Sequence, residues 1–385
     1  MNIGHFVSVV AGQTGFERNV SGHIQVPLHG MKLLQDQGHE VHLITNEFDD
    51  TRTLPSCLQK DIKTHFVADA RNRRGILERT SSEGSGISLL KLMRQVSQIK
   101  QICHEENLDV LHLYGYNRTA HLAGGLRLMG LQIPVVVTMF ATFFPERLSV
   151  VTNRLWNRVD AVVTATQYTM QKLGQEGIPV TQIKHGVMRD LVAELGDTPV
   201  QPRSRVLFWR DLTIENGADV ALAAYDKLAT KYPKIQFELA VRQHWNEIPD
   251  AHEITQRHPN VVIRRFPYED GTTLPQLLLE SICVVMPIRD ISIDPQLVIV
   301  ETLAAGVPII TTNHRSNPEI VQNGETGILV PLGDVDATTE AIDQLLADQQ
   351  KAEQMGKRAM EDIADRWNWN SYVNEIEQVY ERVIG

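Results

Sequence analysis

The sequence predicts an α/β protein made of two Rossmann-like halves, and three observations carry that reading. The chain opens with an apolar strand, a glycine loop, an amphipathic helix and a second apolar strand. After a polar, proline-containing stretch at residues 194–204 the same alternation begins again at Arg205. Finally, 385 residues with 42% hydrophobic and 22% charged content are enough for more than one core, which fits two or three domains.

In the first half, Ile3–Val10 reads as a buried strand. The helix after it carries Ile24, Leu28, Met31 and Leu34 on one face, and Pro27 must lie in its first turn or kink it. Gly38–Thr45 is the second strand. The loop between them has Gly12 and Gly15 but lacks the third glycine of the dinucleotide fingerprint, which argues against a nicotinamide cofactor. Residues 46–107 are less regular. Arg71, Arg73, Arg74 and Arg79 precede a Ser/Gly-rich turn, after which Leu89, Leu90, Leu92, Met93, Val96 and Ile99 alternate with Lys91, Arg94 and Lys100. Residues 71–100 therefore have two readings: a basic amphipathic surface for peripheral contact with a membrane, or a helix covering the sheet with its charged face in water. The second is the plainer and is preferred. Asp109–Leu113 is a strand, Leu122–Leu128 a helix and Pro134–Thr138 another buried strand, while segments 157–166 and 183–187 close the half. His112 and His121 stand nearby, but a lone histidine is more often structural than chemical.

The second half begins with the strand at Arg205. A phosphate needs fixed positive charge or amide protons from a helix N-terminus. The loop from Trp209 to Gly217 offers both, because it carries Arg210 and leads into a helix with Val220, Leu222, Ala223 and Leu228. The plainer alternative for Arg210 is a surface ion pair with Asp211 or Glu215. Ile235–Ala240, Val261–Ile263 and Ile282–Met286 read as strands, with Leu274–Leu279 as a short helix before the last. Asp294 can then cap a helix with Pro295 at its first position. Leu297, Val300 and Ala304 form its apolar stripe, and Glu301 stands at the stripe's edge, where a carboxylate is not core filling. Gly306 ends this helix, and the run from Val307 to Ile310 is the next buried strand. His314, Ser316 and Asn317 follow in a polar loop that either touches phosphate or sugar or merely connects. Val373, Ile376, Val379 and Tyr380 mark a C-terminal helix.

Composition excludes several classes. A formal charge of −10 opposes nucleic-acid binding. Cys57, Cys103 and Cys283 are odd in number and far apart, so no disulfide framework is encoded, and the 14 histidines show no metal-ligand spacing. No apolar run approaches the roughly 20 residues of a membrane span, and no charged leader opens the chain. The expected location is the cytoplasm, peripheral at the inner face of the membrane under the first reading of residues 71–100.

Two strings point to a family. Glu301-Thr-Leu-Ala-Ala-Gly306 and the run from Glu319 to Val330, Glu-x-x-x-Asn-Gly-Glu-Thr-Gly-Ile-Leu-Val, resemble the donor-binding half of family 4 glycosyltransferases, and the chain looks like a divergent member. The resemblance implies the GT-B fold, two Rossmann-like domains facing each other across a cleft. It implies an acceptor-side domain at 1–193, a linker at 194–204, a nucleotide-sugar domain at 205–365 and a final helix at 366–385 that crosses back. It also implies retaining, metal-independent transfer of a sugar from a UDP- or GDP-linked donor, a substrate rather than a cofactor, to a saccharide, lipid-linked or small-molecule acceptor. Arg210, Asp294 and Glu301 are the implied catalytic residues. Gly15, Arg210, Asn216, His314, Ser316, Asn317 and Glu301 are the implied donor contacts, with Glu301 on the ribose and Arg210 on the diphosphate. Six positions depart from the pattern, two of them, His185 and Met188, replacing the polar residues of a turn that reads Asn-Gly-Val-Asp in relatives. Met139, followed by Phe140, replaces a histidine, Trp209 a glycine and Asn216 a lysine. Ile293 occupies the place of a sugar-binding glutamate, with Asp294 one residue away as its substitute or only as a helix cap. Met139, Ile293 and Asn216 support a second reading, a catalytically decayed protein acting as a binding or scaffolding module.

Overall fold

Apolar runs without polar alternation become parallel strands when helices cover both faces of a sheet. The chain uses this arrangement twice. A computed structural model describes residues 1–8, 12–13, 22–47, 52–53, 62–69, 89–115, 117–140, 154–175, 177–199, 201–241, 248, 250–266, 268, 271–290 and 293–385. They divide into two compact units, Met1–His185 with Trp369–Gly385, and Gly186–Asn368.

The first unit contains β1 (Asn2–Val7), β2 (Gly12–Gln13), α1 (Gly22–Asp36), β3 (Glu40–Asn46), β4 (Arg52–Thr53), β5 (Lys63–Val67), α2 (Leu89–Glu105), β6 (Val110–Gly115), α3 (Asn117–Leu128), β7 (Val135–Met139), β8 (Ala161–Thr164), α4 (Gln167–Gln175) and β9 (Val180–Gln182). Seven strands form a parallel sheet in the order β5-β3-β1-β6-β7-β8-β9, and β2 pairs with β4 separately. Pro27 lies inside α1, which already starts at Gly22, so of the two placements expected for it the first turn is not the one it takes. In α2, Val96, Ile99 and Cys103 recur at helical spacing and are buried against the sheet, while Leu90 and Met93 are 79% and 50% exposed on the other side. Residues 71–88, with the arginine cluster, lie outside the described residues.

His112 and His5 are structural. His112 is buried and bonds through Nδ1 to the Tyr380 hydroxyl at 2.6 Å and through Nε2 to Thr138 Oγ1 at 2.7 Å. His5 Nδ1 lies 3.0 Å from the Tyr114 hydroxyl. Burial, followed by the neighbouring His42, lowers the His5 imidazole to about 3, so it stays neutral at pH 7. Met139 and Phe140 are buried too. Met139 belongs to the apolar core, and the Phe140 ring stacks on Tyr114 with centroids 6.3 Å apart, so this position is packing surface.

The second unit opens with α5 (Arg189–Asp197), so residues 194–197 of the expected linker are helical. Leu191 is buried and Leu195 partly buried one turn later, an apolar pair that the polar composition of the stretch conceals. It continues with β10 (Arg205–Trp209), α6 (Ala218–Ala229), β11 (Gln236–Val241), α7 (Ala251–Arg257), β12 (Val261–Arg265), α8 (Leu274–Leu279), β13 (Ser281–Met286), α9 (Leu297–Ala304), β14 (Ile309–Thr312), α10 (Asn317–Ile320), β15 (Gly327–Val330), α11 (Val335–Ala347) and α12 (Gln349–Arg366). The sheet is parallel in the order β12-β11-β10-β13-β14-β15. Asp334 and Asp348 start α11 and α12 by accepting the amide protons of Ala337 and Lys351, each at 2.9 Å. The last helix, α13 (Trp369–Ile384), packs in the first unit, where Tyr380 meets His112 and the Trp369 ring stacks on His29 at 5.4 Å.

Candidate active site

In the second sheet the connections from β10 and β13 run in opposite directions. β11 and β12 lie on one side of β10, whereas β14 and β15 lie beyond β13. Loops leaving the carboxyl ends of two such neighbours diverge, and the crevice between them is where open α/β sheets bind ligands. Arg210 is the first residue past β10. The segment 287–296 follows β13 and leads into α9, the helix that carries Glu301. Both residues are partly buried.

Side-chain bonds join these pieces. Arg210 Nη1 donates to Gln296 Oε1, and Gln296 is the N-cap residue of α9. Gln296 is itself fixed, because its Nε2 donates to the Ile293 carbonyl at 2.8 Å. One residue before Arg210, the Trp209 indole donates to Thr302 Oγ1 at 3.1 Å, next to Glu301 in sequence. The cation of β10 and the carboxylate of α9 are therefore tied to one helix. That helix also directs its first unpaired amide protons and the positive end of its dipole toward the crevice. A guanidinium beside a helix N-terminus suits a diphosphate, and a partly exposed carboxylate one turn on suits hydroxyl groups.

The loop after β10 is shaped by its glycine. Gly217 has φ +77°, and a Cβ there would sit 2.0 Å from the Pro287 carbonyl oxygen, so no other residue lets the two loops approach this closely. The amide protons of Arg289 and Asp290 reach back to the Glu215 carbonyl at 2.8 and 3.1 Å, which closes the stitch from the other side. Asn216 bonds within the loop, its Nδ2 donating to the Asp211 carbonyl at 2.9 Å. It holds loop shape where a lysine would extend a charge.

The remaining predicted residues separate into inner and outer ones. Asp294 is buried and is not the cap of α9; that helix starts at Leu297 after Gln296, and neither Asp294 nor Pro295 occupies the position expected for it. The Ser316 hydroxyl donates to Asp294 Oδ1, so a carboxylate that a local pattern assigns to a helix end instead accepts a bond from 22 residues downstream. Asn317 is also buried, and its Nδ2 reaches the Thr312 carbonyl at 3.1 Å. Both side chains of the 313–317 loop thus hold it to β14 and to Asp294. His314 remains at the edge. Its imidazole lies below the ordinary value through burial and the nearby Arg315 cation, against the opposing pull of Asp290. Gly15 lies outside the described residues. Sequence reasoning missed Gln296, which positions the cation, and Gly217, for which the Asn-Gly pair was the available signal.

Residues 199–362 match the sequence profile of the family described as "Glycosyl transferases group 1", and residues 30–190 match "Glycosyltransferase Family 4". The chain is 24% identical to the N-acetyl-alpha-D-glucosaminyl L-malate synthase of Bacillus anthracis over 388 residues, covering 92% of each chain. It is 24% identical over 312 residues to the phosphatidyl-myo-inositol mannosyltransferase of Mycolicibacterium smegmatis, covering 75% of each. Among solved structures it superposes on the sucrose-phosphate synthase of Thermosynechococcus elongatus with a TM-score of 0.72, 16% identity, and coverage of 100% of this chain and 99% of that one. The pneumococcal O-GlcNAc transferase GtfA, in complex with UDP and GlcNAc, gives a TM-score of 0.72 at 11% identity, covering 100% and 99%. At these identities the superpositions show the fold, which is GT-B.

Proposed function

The chain belongs to the family 4 glycosyltransferases, and from that premise we propose that it moves a sugar from a UDP- or GDP-linked donor to an acceptor hydroxyl with retention, without a metal ion in the step. The observation that carries the reading is the Arg210 guanidinium held by Gln296 at the amino end of the helix that bears Glu301. When the glycosidic C–O bond breaks, its electron pair stays on the departing diphosphate. A cation and a helix N-terminus fixed beforehand stabilise that charge without reorganising. Glu301 accepts bonds from the ribose hydroxyls, while Ser316 and Asn317 keep Asp294 and the 313–317 loop in place. The names of the two relatives suggest an acceptor that is a small hydroxy acid or a lipid-linked polyol.

Purified chain incubated with UDP-GlcNAc, UDP-glucose or GDP-mannose, and with L-malate, phosphatidylinositol or oligosaccharides, should form product with one pair in the presence of EDTA. NMR of the product reads the anomeric configuration. Glu301→Ala should raise the donor KM by about tenfold or more, the worth of a hydrogen bond to a charged group. No turnover with any pair, together with no thermal shift by UDP or GDP, would overturn the reading.

The side chain of Asn216, tied to the Asp211 carbonyl, favours the alternative of a decayed binding module. That alternative expects cellular function to survive both Arg210→Ala and Glu301→Ala. No helix among the described residues is long and apolar enough to cross a membrane. The exposed Leu90 and Met93, beside Lys91 and Arg94, support peripheral contact with an anionic surface instead. The chain should co-sediment with phosphatidylglycerol vesicles, and the pair Leu90→Ser and Met93→Ser should abolish this. Equal sedimentation of both proteins would remove the membrane from the proposal.

A further inference from the structure

In the first unit, near the amino ends of its strands, three metal-ligating side chains converge from three elements. His42 is the third residue of β3, His65 the third of β5, and Glu106 directly follows α2. The parallel register places Ile44 opposite His65 and His42 opposite Lys63. Side chains two apart share a face of a strand, so the two imidazoles meet diagonally on the face that α2 covers. His42 Nδ1 lies 3.2 Å from His65 Nε2, and each of these nitrogens lies 3.9 Å from a carboxylate oxygen of Glu106.

These distances are those of a metal site about to close. A tetrahedral ion bound at about 2.0–2.1 Å sets its ligand atoms roughly 3.3 Å apart, so the imidazole pair already spans one edge and the carboxylate needs only a small side-chain movement. His42 is fully buried, which holds its ring, whereas His65 and Glu106 keep side-chain exposures of 16% and 19% that leave a route from solvent. The other ring nitrogen of His42 lies 3.4 Å from Glu40 Oε1 without a hydrogen bond to it. The Asn2 amide bonds the Glu106 carbonyl at 2.6 Å and fixes that end of α2. Glu106 is now paired with the Lys63 ammonium, a side chain 57% exposed and free to swing away.

We propose that His42, His65 and Glu106 bind a divalent zinc-class ion, with water as fourth ligand, which fastens α2 to β3 and β5. The site is separate from donor binding, and its failure leaves the reading of the crevice untouched. The plainer arrangement is a single hydrogen bond between the two imidazoles beside an ion pair, and the test separates the two.

Full-length chain stripped with EDTA should bind one equivalent of zinc by calorimetry, gain thermal stability with it, and show the visible bands of tetrahedral cobalt when cobalt is the probe. His65→Ala and Glu106→Gln should each weaken zinc binding by at least the about 10–100-fold that loss of an orienting partner alone costs. Lys63→Ala should tighten it by about fivefold, because it removes an exposed ion pair that competes for the carboxylate. Absence of zinc binding, or binding unchanged in Glu106→Gln and Lys63→Ala, would establish the hydrogen-bonded pair and overturn the proposal.

Discussion

Arg210→Ala is expected to lower kcat/KM for the donor by about 10²- to 10³-fold, the cost of removing one preorganised group that stabilises charge in a transition state. The argument is electrostatic. Asn216 contributes no second cation, and its side chain is turned to the Asp211 carbonyl, so Arg210 and the α9 N-terminus carry the compensation in this loop. Arg210→Lys should recover little of the loss. A point charge keeps the attraction, but it lacks the planar fork through which Arg210 bonds Gln296. Circular dichroism and thermal unfolding of the variant should match the parent, because Arg210 is only partly buried. A variant that turns over donor within about twofold of the parent would show that this guanidinium does not meet the diphosphate.

The readable part of this molecule was set by local rules. The parallel strands of both sheets announce themselves as short apolar runs, and Gly306, with positive φ, ends its helix where the sequence points to it. Contacts that were not legible depend on partners far along the chain. Asp294 followed by proline has the composition of a helix start, yet its carboxylate is buried against Ser316. Ser316 and Asn317 are polar in a loop, which reads as ligand contact, and no local pattern announces that their side chains also hold the turn to Asp294 and β14. Gln296 has no local signal at all, since its value comes from facing Arg210 across 86 residues. The same limit explains the histidines. A search for ligands at fixed spacing finds nothing, because His42, His65 and Glu106 are brought together by strand order rather than by a motif.

Glu238→Ala is expected to destabilise the second unit by about 3 kcal/mol or more while leaving turnover per folded molecule unchanged. Glu238 is fully buried on β11 and accepts from Arg205 through one oxygen and from Arg264 through the other. The Arg205 guanidinium also donates to Glu280, so removing Glu238 leaves a nearly buried cation with one partner instead of two. This cluster sits where β10 and β13 begin, at the opposite end of these strands from Arg210, which is why the loss should appear in unfolding and not in kinetics. Desolvation of ions offsets much of what their attraction provides, so the pair itself contributes little compared with what its disruption costs. The double replacement Arg205→Met with Glu238→Leu should therefore be far less destabilising than either single change, by an interaction energy of about 1–3 kcal/mol in a double-mutant cycle. Additive losses in urea unfolding would instead mean that the two charges act independently, and that the bond drawn between them contributes nothing to the fold.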